Sequence, residues 1–70
     1  MTPVLAQITG TVWKIEVKLG QRVNAGDTLV IIESMKMEMP LEAPVEGTVK
    51  ELNCRESQSV SEGDVLLVLE

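Results

Sequence analysis

The chain reads as an all-β protein, a flattened barrel of two antiparallel four-stranded sheets with a pseudo-twofold internal repeat. Three observations predict this. Residues 6–33 lie on residues 43–70 without a gap when the chain is shifted by 37 positions. The dipeptide Gly-Asp recurs at Gly26-Asp27 and Gly63-Asp64, cutting each copy with a strong turn signal. The segments between the turns are short, apolar and rich in β-branched residues, and none shows a helical period with caps. Two copies are too few for a solenoid, so the repeat predicts a closed pair.

The identical pairs are Ala6/Ala43, Gly10/Gly47, Thr11/Thr48, Val12/Val49, Gln21/Gln58, Val23/Val60, Gly26/Gly63, Asp27/Asp64, Leu29/Leu66 and Glu33/Glu70. Apolar positions also match, as in Ile8/Val45, Ile15/Leu52, Val30/Leu67, Ile31/Val68 and Ile32/Leu69. In the first copy, a short strand is expected around Ile8, a longer one over residues 12–17, a short one around Val23, and one over residues 29–33. The second copy predicts their partners around Val45, over 49–54, around Val60 and over 65–69. The first copy ends at Glu33 and the second begins at Ala43, so the residues between must reverse the chain. A hairpin pairing residues 30–34 with 37–41 leaves Met35 and Lys36 at its tip. The position equivalent to Lys36 falls just past Glu70, so both chain ends should sit at the pole opposite this lysine.

A chain of 70 residues makes one domain spanning 1–70, and at this size only about 60 % of the unfolded surface is buried. Cys54 is the only cysteine, so no internal disulfide forms, and aliphatic packing must hold the core. Its counterpart is Val17, which predicts a small buried hydrophobe rather than a reactive thiol. The net charge is −5 with no histidine, and the scattered cations argue against a nucleic-acid surface. No apolar run approaches the roughly 18 residues of a membrane span, so the expectation is a cytoplasmic protein with no membrane or nucleic-acid partner, monomeric on its own. Met1 suggests a free-standing chain. The carboxylates Glu33, Glu38, Glu42, Glu46, Glu51, Glu56 and Glu62 have no aromatic-lined pocket to raise a pKa, so no catalytic residues are expected. Met35, Met37 and Met39 are spaced for a soft ion, but a tight hairpin splays the sulfurs, and no metal site is expected.

Glu33-Ser34-Met35-Lys36-Met37-Glu38 places one lysine between two methionines midway between the repeats. This stretch, with the repeat around it, resembles the attachment site of the biotinyl/lipoyl domain family, and the biotin carboxyl carrier proteins in particular. The first copy departs from the family pattern, having Ala6-Gln7-Ile8-Thr9-Gly10 where the second has Ala43-Pro44-Val45-Glu46-Gly47. The resemblance implies that Lys36 is acylated by biotin, with Met35 and Met37 as recognition elements. It also implies that a biotin protein ligase performs the modification. The loaded domain is then a swinging arm that carries carboxybiotin between a biotin carboxylase and a carboxyltransferase. A lipoyl carrier has the same fold, but lipoyl sites usually show an acidic residue before the lysine and a small one after, so the two methionines favour biotin over lipoate. An unmodified barrel acting as an adaptor is the reading from another class. Read from the residues alone, Met35 and Met37 are equally a buried pair or an apolar collar around the lysine. The runs 29–32 and 65–69 are apolar on both alternating faces, which leads to the expectation that Val30 or Ile32 points outward and serves as a docking surface.

Overall fold

In the computed structural model, which describes residues 1–70, every strand of one half has its counterpart 37 positions on. The strands are β1 (Thr2–Leu5), β2 (Gly10–Ile15), β3 (Arg22–Val23), β4 (Thr28–Ser34), β5 (Met37–Glu42), β6 (Gly47–Leu52), β7 (Ser59–Val60) and β8 (Val65–Leu69). They form two antiparallel sheets, in the orders β1-β8-β6-β3 and β5-β4-β2-β7. Each sheet takes two strands from each half: β1 and β3 of the first lie on β8 and β6, and β5 and β7 of the second lie on β4 and β2. The fold is therefore the interlocked, two-sheet all-β barrel that the repeat predicts.

The strand at 37–42 is the second arm of the expected hairpin, but the strand at 2–5 is not expected, and the short strands expected around Ile8 and Val45 are absent. Ile8 and Val45 sit in bends, and the strands are Thr2–Leu5 and Met37–Glu42. The ladder ends at Ala6 and Ala43 because their backbones bind turns. Ala6 N–H donates to Asp64 O and Ala6 O accepts from Gly63 N–H, and Ala43 makes the same pair with Asp27 and Gly26. The alignment of Pro3 with Pro40 and of Val4 with Leu41 carries the signal for these strands. Proline argues against a central strand, but β1 and β5 are edge strands, where a missing N–H costs no ladder bond. The second strands also begin earlier than predicted, at Gly10 and Gly47. A side chain at Gly10 would place its Cβ 2.5 Å from Glu33 O, and one at Gly47 would lie 2.9 Å from Glu70 O. Only glycine lets these backbones meet.

The core is a single cluster of sixteen buried residues, all aliphatic except Cys54, with no buried polar or charged side chain. Consecutive residues of the apolar runs are buried together because of β-bulges. In β4 the register with β5 steps from Thr28↔Glu42 to Val30↔Leu41, so Leu29 is the extra residue and both Leu29 and Val30 face inward. Leu66 and Leu67 repeat this against β1. A second pair of bulges steps past Trp13 in β2 and Lys50 in β6. The repeat thus extends to the irregularities of the sheets.

The turns are equally symmetric. Asp27 Oδ2 accepts from Asn24 N–H at 2.8 Å, and Asp64 Oδ2 accepts from Ser61 N–H at the same distance. Earlier in each copy, Gln21 Oε1 accepts from Lys18 N–H and Gln58 Oε1 from Arg55 N–H. In these last two turns the residue before the glutamine has positive φ, +87° at Gly20 and 72° at Ser57. The chain ends lie at the pole where β4 begins. Val23, one turn before β4, pairs with Gly47, which packs on Glu70, and Thr2 pairs with Leu69. Lys36 follows the other end of β4, roughly 20 Å away at about 3.3 Å per residue.

Ser57 holds a left-handed conformation that its counterpart occupies with glycine. Ser57→Gly is expected to raise stability by about 0.5–1 kcal/mol, measured as a higher urea midpoint with an unchanged denaturant slope. A lower midpoint would refute the assignment of strain to this turn.

Candidate functional site

The hairpin between β4 and β5 closes in two residues. Ser34 pairs with Met37, and the intervening Met35 and Lys36 have φ of 53° and 64°. Positive φ at both positions is the conformation of a type I′ turn, whose twist matches the strands it joins. Asn-Gly is the usual occupant, and no such residue is present here. Left-handed backbone costs an ordinary residue about 1–2 kcal/mol, and the six aligned pairs of β4 and β5 beneath the turn hold it in place. Local sequence therefore gives no turn signal at the tip, and strand pairing imposes one.

The tip is presented entirely to solvent. Lys36 is exposed, and the ion pairs of the molecule involve Lys14, Arg22 and Lys50 instead. No hydrogen bond engages its Nζ. Met35 is 92 % exposed and Met37 65 %, so neither belongs to a buried pair. Met39 is half-exposed. Beneath the hairpin, Ile8, Ile32, Met39 and Leu41 line a small apolar cleft, and Ile8, though in a bend, packs on the core. The lysine stands unpartnered on a tip whose base is fixed by strand pairing.

Other candidate residues separate from this site. Val30 and Ile32 are 0 % and 2 % exposed, which overturns the expectation that one of them offers a docking surface. The bulge at Leu29 turns Val30 inward, and Ile32 faces Val12 across the ladder. Ile31 is the residue of that run that faces outward, half-buried between Lys14 and Pro40. Trp13 is half-exposed. No carboxylate is buried, and no group of three or more His, Cys, Asp or Glu side chains gathers to hold a metal ion. Cys54 is 8 % exposed, and burial pushes its thiol above the usual value of 9.0.

The chain is thus a β-barrel that presents one exposed lysine on a two-residue hairpin. A family model described as biotin-requiring enzyme, of biotin/lipoyl type, matches residues 2–69, and the chain belongs to that family. Among curated relatives, it is 47 % identical over 40 residues to the biotin/lipoyl attachment protein of Bacillus subtilis (strain 168), covering 57 % of this chain and 55 % of that protein. It is 49 % identical over 39 residues to the alpha subunit of mitochondrial methylcrotonoyl-CoA carboxylase of Mus musculus, 56 % of this chain but 5 % of that one. The chain thus matches about half the length of the first and a small part of the second. Among solved structures, the urea carboxylase of Kluyveromyces lactis superposes with a TM-score of 0.91 at 34 % identity, over 97 % of this chain and 6 % of that one.

The raised thiol of Cys54 has a stability consequence. Its folded pKa lies above its unfolded value, so above about pH 9 the unfolded chain loses this proton first and stability falls with rising pH. Cys54→Val, which installs the residue found at Val17, is expected to fold normally and to flatten this alkaline decline in urea titrations between about pH 8 and 10.5. An unchanged decline in the variant would show that another group causes it.

Proposed function

We propose that this chain is a biotin carrier, modified once on Lys36, and that it moves a carboxyl group between a biotin carboxylase and a carboxyltransferase partner. The observation that carries the reading is the unpartnered, exposed amine of Lys36 at the apex of a two-residue hairpin. Family membership and the likeness to carboxylase domains support it.

The residues present fit the group. An amide bond to biotin needs a primary amine that can reach into a ligase, and Lys36 offers one on four methylenes with no competing carboxylate. An amine forms an amide with a carboxylic acid only when the acyl group has been activated. The ligase therefore supplies the activated acyl group, and selectivity comes from the shape of the tip. Met35 and Met37 give that tip apolar, adaptable contacts. When bound, biotin supplies a ring nitrogen that takes up and releases a carboxyl group. The chain contributes reach and placement: the modified side chain extends on the order of 10 Å from the backbone, and the barrel moves the tip between two active sites. Catalysis belongs to the partners. A buried, unpaired Cys54 fits a reducing, cytoplasmic compartment.

Co-expression with a biotin protein ligase is expected to add a single biotin, mapped to Lys36 by peptide mass spectrometry. Lys36→Arg should abolish the addition while changing stability by less than about 0.5 kcal/mol, because the position is exposed. Acylation at Lys14, Lys18 or Lys50 would refute the assignment. A second experiment addresses the methionines. Met35→Asp with Met37→Ala is expected to slow biotinylation and to favour lipoylation when a lipoate ligase is supplied, read from the added mass. An unchanged biotinylation rate would remove the recognition role of Met35 and Met37.

A further inference from the structure

We infer that the outer face of the β5-β4-β2-β7 sheet, centred on Trp13, docks an arginine-bearing basic surface of the biotin carboxylase. The inference rests on the carrier reading and extends it to a partner surface away from the tip. Its starting point is the bulge in β2. The register steps from Val12↔Ile32 to Lys14↔Ile31, so Trp13 and Lys14 both face outward opposite Ile31. Ile31 in turn lies opposite Pro40. The result is an apolar row of Trp13, Ile31 and Pro40 across three strands, with Trp13 48 % exposed.

Carboxylates flank the row on both sides. Toward the tip lie Glu33 and Glu38, directly opposite one another. Away from it lie Glu42 at the end of β5 and Glu16, which holds the only cation of the face, Lys14, at 3.4 Å. Like charges directly opposite on a ladder destabilise a sheet, so the Glu33–Glu38 pair gives the fold nothing.

The pseudo-twofold supplies the control. The outer face of the other sheet is built on the same register and the same bulges, yet it carries Lys50 where this one has Trp13. It has Met1, Leu5 and Asn53 at the places of Glu38, Glu42 and Glu16. Its Lys50 is tied to Glu70 at 3.7 Å. The barrel closes equally well with either set, so an exposed tryptophan ringed by carboxylates is not a requirement of folding.

Tryptophan among carboxylates is complementary to arginine, whose planar guanidinium stacks on the ring while its fork reaches a carboxylate. The row lies about 15 Å from the tip, at roughly 3.3 Å per residue from Ile31 to Lys36. Its partner therefore spans the flank and the tip together. The carboxylase is the component that fits, because the donor of the carboxyl group it loads is an anion at neutral pH, and the mouth of a site that gathers anions is basic.

The test uses the full chain, biotinylated on Lys36, as the substrate of the biotin carboxylase subunit purified from the source organism. Trp13→Lys, which installs the residue of the equivalent place, is expected to raise KM about tenfold with kcat within twofold. Glu38→Gln with Glu42→Gln should raise KM several-fold, and the wild-type KM should rise with salt. Lys50→Glu on the opposite face should leave KM unchanged. With 5-fluorotryptophan at Trp13, the only aromatic residue, the single fluorine resonance should shift on adding the carboxylase. KM within twofold of wild type for both Trp13→Lys and the double glutamine variant overturns the proposal. So does a matching loss in the rate of ligase modification, which would make the ligase the occupant. Failure of Lys36 to accept biotin at all would instead overturn the carrier reading, and is seen in the mass spectrum before any kinetics.

Discussion

The exchange of short strands between the two halves is the constraint on which the rest of the molecule depends. Val23 of the first half pairs with Gly47 of the second, and Val60 of the second with Gly10 of the first. The neighbouring loops extend the exchange, with Val12 N–H donating to Gln58 O and Val49 N–H to Gln21 O. Neither half has a complete sheet without the other, and neither has a core. In a chain this small, with no disulfide and no aromatic side chain in its interior, that mutual completion replaces the staples that small domains otherwise need. Most of its tertiary contacts are non-local, so ordering one half is coupled to ordering the other.

The strained tip follows from that constraint. Two left-handed residues without glycine or asparagine are unstable in isolation. They persist because β4 is clamped between β2 and β5 along its length, and the ladder fixes where the reversal falls. Strain at a functional position is tolerated when surrounding structure determines it. The alternative of a relaxed Asn-Gly turn would remove the lysine from the reversal itself.

Most of the architecture was legible because it is written twice. The Gly-Asp turns, the paired glutamines and the Cys54/Val17 correspondence are local or repeated signals, and the hairpin tip that forms the candidate site was legible as the residues left over at the junction. What escaped has identifiable causes. The strand at Thr2–Leu5 contains Pro3, which a strand pattern rejects unless the strand is known to be an edge. The inward turn of Val30 depends on a bulge at Leu29, and a run that is apolar throughout does not reveal where an extra residue sits. Trp13 was visible as an aromatic, but its outward direction comes from the second bulge and from nothing in its own neighbourhood. The left-handed backbone at Met35 and Lys36 left no local trace, since ladder pairing rather than residue preference imposes it.

The pairing of Thr2 with Leu69, at the pole where β4 starts, has a consequence for how such a unit travels between proteins. Both ends of the chain leave side by side, on the far side of the barrel from the hairpin. A linker grafted to either end, or to both at once, leads away from the working tip and neither shields it nor pulls on the strands that hold it. Geometry of this kind makes a module indifferent to its host: the same fold serves inside a large multidomain chain or outside one, with the tether deciding how far the lysine roams.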